Sequence, residues 1–261
     1  YGIVGAMDAA KIFFTILFSL CIERGIVRLY FDYNTESEKK KFLGVVFVLI
    51  SIVSITFLLL AFIFRNQIQL IFKNIPFYPY FSYTIGIAFL LTFEHLPKLY
   101  CRLKEKAISF VSLSLIYVFL TTSLIIWFVV FKQEGALGYL KGQFISSAIM
   151  LILYLFISFK ITTLNFDPKI IKNLLNFTIP FIPPLFISWF LTQSNRIFLD
   201  QLVSLESVGI FSFSTKIAMT TSIFTTALMI SFEPNFYKLA NLGEKGKNKI
   251  SSFFSFFMFT A

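Results

Sequence analysis

An all-α bundle that crosses a membrane many times is the fold class this sequence predicts, and three observations carry the prediction. Of 261 residues, 57% are hydrophobic and 19% aromatic, and mean hydropathy is +0.81. Charged residues make up 14% of the chain, where a soluble domain carries about a quarter. Long runs lack charge altogether: Leu43 to Phe64, Ile108 to Phe131 and Phe177 to Asn195. A helix needs about 20 apolar residues to cross the hydrocarbon core, and each run is of that order.

Taken in order, the apolar runs predict seven spans at 3–22, 43–64, 80–97, 108–131, 142–159, 177–195 and 207–232, with an eighth starting at 250. Short polar segments separate them. The chain opens on Tyr1 with no basic segment ahead of the first run, so no signal peptide is expected. It stops at Ala261 inside the run Ile250 to Thr260, and reads as an internal piece of a longer protein. Cys21 and Cys101 form no disulfide framework and read as ordinary helix-end residues.

The net charge of +10 raises nucleic acid as a partner, and its placement removes that reading. Basic residues in successive loops number 5, 2, 4, 2, 3, 1 and 4, so that alternate loops hold 16 on one side and 5 on the other. Cytoplasmic loops carry the Lys/Arg excess. The loops at 23–42, 98–107, 160–176 and 233–249 are therefore expected in the cytoplasm, with Tyr1 outside. Two basic residues fall within spans, Lys11 and Lys216.

The start of the chain is echoed at an offset of 207. Gly2-Ile3 matches Gly209-Ile210, and Ile16 matches Ile223; Tyr30, Asn34, Lys40 and Phe47 match Tyr237, Asn241, Lys247 and Phe254. Each stretch runs from a small-residue start through a span into a Lys-rich loop and a new span. Six spans separate copies of like orientation, which suggests two six-helix bundles in parallel repeat. Chance similarity between two membrane segments is the alternative.

Several stretches together resemble a known family. Phe177-Thr-Ile-Pro-Phe-Ile-Pro-Pro, Trp189, Ser194-Asn-Arg196-Ile-Phe-Leu199 and Val208-Gly-Ile-Phe-Ser-Phe-Ser-Thr-Lys216-Ile-Ala218 resemble the start of the second lobe in Wzx-type polysaccharide flippases. Tyr1-Gly-Ile and Val27-Arg28-Leu-Tyr30-Phe31 resemble that family's second helix and following cytoplasmic loop. Phe211 stands where Tyr is usual, and Asn195 where Asp is common. The resemblance implies the two-lobe architecture of the MATE-like exporter superfamily. Residues 1–165 would form a first lobe lacking its first helix, and 166–261 a truncated second lobe. It also implies a bacterial inner-membrane flippase for undecaprenyl-diphosphate-linked oligosaccharide in O-antigen or capsule synthesis, with membrane lipids and polysaccharide assembly machinery as partners.

Candidate site residues follow. Lys216 lies eight residues past Val208, about 12 Å deep at 1.5 Å per residue. A charge at the bilayer centre costs on the order of 2.5–3.5 kcal/mol, so it faces a cavity or a partner. Lys216 either meets an anionic substrate such as a lipid-linked pyrophosphate, or snorkels or pairs with a carboxylate. Lys11 follows Asp8 by three residues, which places them to pair; on a cavity-lining face Lys11 would add positive charge. Arg196 precedes Asp200 by one turn, which a surface pair would explain, while the resemblance places this Arg among cavity positions. Arg24 and Arg28 suit positive-inside anchoring or capture of a phosphate headgroup. Glu94, His95 and Lys98 cluster about Pro97. They read as a helix-end salt bridge or, through Glu94, His95 and Asp8, as proton coupling. Pro97 is placed to kink its helix, and Pro180, Pro183 and Pro184 to bend or break theirs, as a hinge would.

No phosphate-binding Gly-rich loop, metal-ligand cluster or nucleophile dyad stands in the sequence, so neither an enzyme nor a cofactor is expected. A MATE-like drug or ion antiporter would need acidic residues for cationic substrates. A membrane glycosyltransferase or glycan polymerase would need a large outer loop with catalytic groups, and each such loop here is short.

Overall fold

The computed structural model describes residues 1–70 and 74–220, and among these every regular element is a helix. Residues 1–210 form one compact unit; of the second, 211–261, the described part is helical through 220. The predicted eighth span, the second half of the seventh, the loop at 233–249 and the echo from Ile223 onward lie outside the described residues.

The first helix, α1 (Gly2–Ser19), stops where Leu20 and Cys21 both take left-handed backbone angles, with φ of 44° and 57°. This conformation costs an L-residue energy and ends the helical path. A short amphipathic helix, α2 (Ile22–Leu29), leaves at the break and a 3-10 turn over Tyr30–Asp32 follows. The long helix α3 (Glu36–Ile63) opens with a capping box: Thr35 Oγ1 accepts from the Glu38 amide at 3.2 Å, and Glu38 Oε2 accepts from the Thr35 amide at 3.1 Å. After α4 (Arg65–Gln69) and a wide turn over Phe77–Phe81 come α5 (Ser82–Thr92) and α6 (His95–Leu103). The helix α7 (Ala107–Ile126) continues through a π-turn to Phe131, and α8 (Gly135–Ile161) returns. Asp167 caps α9 (Pro168–Thr178) by accepting from the Lys169 and Ile170 amides. A 3-10 turn over Ile179–Phe181 leads into α10 (Ile182–Leu202), and a further helix runs through 205–220.

Among the described residues, five stretches are long and apolar enough to cross a membrane: Gly2–Ser19, Glu36–Ile63, Ala107–Phe131, Gly135–Ile161 and Pro168–Leu202. They correspond to the predicted spans at 3–22, 43–64, 108–131, 142–159 and 177–195. The span predicted at 80–97 is two helices, interrupted at Phe93 and Glu94. Pro97 sits in the first turn of α6, where its missing N–H costs no helical bond. The three later prolines mark a local change of helix type: Pro180 lies in the 3-10 turn, and Pro183 and Pro184 in the first turn of α10, while the backbone stays right-handed helical at Thr178, Ile179, Phe181 and Ile182.

Helix α1 sits centrally, packed on α3, α5, α8 and α10. Its Met7, Phe14 and Phe18 are buried with Phe81, Ile85 and Ala88. A second apolar cluster gathers Ile22 and Ile26 with Phe42, Val46, Leu96 and Leu174 at the α2 end. Helix α7 buries Leu113 but exposes Val118, Phe119 and Ile126; lipid tails are the solvent for such a face. Glycine permits close crossings, as small residues do in membrane bundles. A Cβ at Gly44 would run into the Thr163 carbonyl, and the Thr163 amide donates to the Lys40 carbonyl at 3.1 Å. The two glycines paired by the sequence echo also meet. A Cβ at Gly209 would sit 3.0 Å from the Gly2 nitrogen, and one at Gly2 would collide with the Leu205 carbonyl.

Candidate functional site

Because α1 occupies the centre of the bundle, its two charged side chains are largely buried and reach the neighbouring helices. Lys11 Nζ donates to Asp8 Oδ1 at 2.9 Å and to Gln143 Oε1 on α8 at 2.8 Å. Tyr139, one turn earlier on α8, donates its hydroxyl to both Asp8 carboxylate oxygens at 3.3 and 3.2 Å. From α10, the Trp189 indole N–H donates to the Ala9 carbonyl at 2.9 Å and its ring packs on Phe13. Arg196, two turns further along α10, lies within electrostatic reach of Asp8. Three helices thus converge on one carboxylate.

The surface pair suggested by the Arg196–Asp200 spacing is corrected by burial. Arg196 is 7% exposed and Asp200 2%, because this face of α10 lies against α1. Asp200 accepts from the Asn74 amide side chain, at 3.0 Å through its carbonyl and 3.2 Å through Oδ1.

A second charged cluster sits at the interruption between α5 and α6. Glu94 accepts from Lys98 at 2.7 Å and from the Tyr154 hydroxyl at 3.4 Å. Lys98 also lies 5.8 Å from the centre of the Tyr117 ring. The buried Nε2 of His95 has no hydrogen-bond partner. The two clusters are connected along one face of α8. Between Gln143 and Tyr154 stand Ser146, which accepts from Thr121 at 2.8 Å, and Ser147, 3.4 Å from the Tyr117 hydroxyl. Residues 139, 143, 146, 147 and 154 recur at helical spacing, so a polar stripe crosses the bundle inside an otherwise apolar helix. The sequence reading missed this stripe. Its signal was available in the 4-3-1-7 spacing, masked because Ser and Tyr are unremarkable singly.

The remaining candidates separate. Arg28 is held at the surface by Asp32 at 2.9 Å, whereas the Arg24 guanidinium lies 5.0 Å from the Phe181 ring centre. Lys216 belongs to the second unit, where its carbonyl accepts from Thr220 at 3.3 Å. Among the described residues no group of His, Cys, Asp or Glu could hold a metal ion.

Comparison with known families matches the profile described as polysaccharide biosynthesis protein to residues 1–239. Neither the curated proteins nor the solved structures yielded a match.

Proposed function

Because the chain belongs to the polysaccharide biosynthesis protein family, we propose that this multi-pass membrane protein is a flippase. It carries undecaprenyl-diphosphate-linked oligosaccharide from the cytoplasmic to the outer leaflet of a bacterial inner membrane. The observation that supports this most is the pair of cations, Lys11 and Arg196, held inside the helix bundle around the single carboxylate of Asp8. Charge is what the lipid tail cannot carry across hydrocarbon, so a translocating cavity must offer cations to the diphosphate and polar groups to the sugars. The α8 stripe of hydroxyls and amides is of the latter kind. Lys216, in the second unit, is a further in-membrane cation of this reading, while Asp8, Glu94 and His95 are the groups available for proton coupling.

The reorientation is alternating access between residues 1–165 and the lobe that begins at 166. The 3-10 junction between α9 and α10 serves as its hinge, and the Gly2–Gly209 crossing as its outer closure. A MATE-like antiporter for cationic substrates is the weaker reading, since Asp8 and Glu94 are each already neutralised by a lysine at 2.9 and 2.7 Å.

The test is complementation of a strain lacking the gene. Arg196→Glu and Lys216→Glu should each reduce surface polysaccharide by at least tenfold while membrane insertion stays normal. Normal export in both variants overturns the site assignment.

A further inference from the structure

Where α2 meets α6, a cavity of about 290 Å³ opens to the surface, lined by Glu23, Arg24, His95, Lys98 and Arg102, with Val27, Leu99 and Phe110 as its apolar wall. That volume stands at the lower end of small-molecule sites, which begin near roughly 300 Å³. Arg24 and Arg102 are exposed and supply guanidinium forks suited to a phosphate. Lys98 adds an ammonium already paired with Glu94 at 2.7 Å. Two residues of the lining each carry a buried atom that lacks a hydrogen-bond partner, Glu23 Oε2 and His95 Nε2. A buried polar atom left unpaired costs about 1–3 kcal/mol, and both residues that carry one line this cavity.

The two halves of the lining specify the ligand. The guanidinium groups call for a phosphate. The Glu23 carboxylate repels a bare phosphate and requires a hydroxyl donor beside it. The apolar wall of Val27, Leu99 and Phe110 suits a lipid chain. We propose that this cavity binds the headgroup of a phosphorylated lipid whose phosphate carries a hydroxyl-bearing substituent. The phosphate sits on Arg24 and Arg102, and a hydroxyl donates to Glu23. Prenyl-phosphate-linked sugars and phosphatidylglycerol share this chemistry. The site stands apart from the Asp8–Lys11–Arg196 cluster. It deepens the flippase reading by naming a headgroup station at the end of the bundle expected in the cytoplasm.

Binding is measured on the full-length protein in phosphatidylcholine nanodiscs, which contain no anionic lipid. The probes are a short-chain prenyl phosphate carrying glucose, the same prenyl phosphate without sugar, phosphatidylglycerol and inorganic phosphate. Arg24→Gln and Arg102→Gln should each weaken the glucose-bearing probe about tenfold. Glu23→Gln should weaken that probe several-fold while leaving or improving the sugar-free one, and Lys40→Gln, an exposed charge in the same predicted cytoplasmic region, should change nothing. Phosphatidylglycerol binding with the same dependence, in place of the prenyl probe, supports the site with bulk lipid as its source. Wild-type affinity in both arginine variants, equal loss in Lys40→Gln, or inorganic phosphate binding as tightly as the lipids overturns it. Because no translocation is measured, failure here leaves the flippase reading standing, and failure of transport leaves this site standing.

Discussion

Asp8 carries an unusual number of obligations for one carboxylate: it accepts from Lys11 and Tyr139 and lies within electrostatic reach of Arg196. Removing one partner of a buried ion pair strands the other, which costs about 3–5 kcal/mol in a dry interior. With Lys11 and Asp8 each 21% exposed, Asp8→Asn should lower stability by a smaller amount, about 2 kcal/mol. Adding Lys11→Met should recover part of that loss, and thermal unfolding in detergent checks both. Tyr139→Phe removes only a neutral donor and should cost about 1 kcal/mol in the same assay. What the sequence could disclose here was local. The Asp8–Lys11 and Glu94–Lys98 spacings place each pair on one helix face, and both pairs form as expected. Gln143 and Tyr139 lie more than 130 residues from their partners, a separation that helical periodicity does not encode. For Arg196 the sequence leaves a surface pair with Asp200 open beside a cavity position, because the pairing rule is blind to what packs on that face; burial removes the surface alternative.

Among the elements, the long uncharged helices were legible because a bilayer imposes length and composition directly on sequence. The interruption between α5 and α6 was not, since Phe93 is apolar and the run looks continuous through it; Glu94 and His95 were the only sign. Close helix crossings are likewise invisible until the partner is known. Gly44→Val should therefore be disruptive despite being apolar, because its side chain meets the Thr163 backbone, which cannot move aside as a side chain can. Overpacking of this kind costs about 1–3 kcal/mol, read as a lowered unfolding temperature. At the α3–α6 end, Lys104 donates to Glu36 at 2.6 Å, which holds the Glu36 carboxyl below the usual range and the Lys104 ammonium above its own. The tie is thus intact at neutral pH, lost on the acid side as Glu36 protonates, and lost on the alkaline side as Lys104 deprotonates. Glu36→Gln should return the Lys104 titration, followed by NMR, toward the ordinary lysine value.

At the scale of the molecule, the alternation of basic loops predicts a direction for each predicted span, and the family match places the chain among polysaccharide biosynthesis proteins. The first claim is checked by impermeant thiol labelling in a background lacking Cys21 and Cys101. Cysteines at Lys40 and Lys104 should react only from the cytoplasmic side, and one at Lys132 only from outside. The second claim reduces to whether the protein moves a charged, sugar-bearing headgroup across hydrocarbon. The most direct measurement reconstitutes the full-length protein into liposomes with a fluorescent prenyl-diphosphate oligosaccharide and follows its loss of protection from a membrane-impermeant quencher. The flippase account predicts that wild-type protein exposes the protected leaflet's pool within minutes and that Arg196→Glu, inserted to the same level, does not. A protected pool that persists with wild-type protein, or that collapses equally with Arg196→Glu, would contradict it.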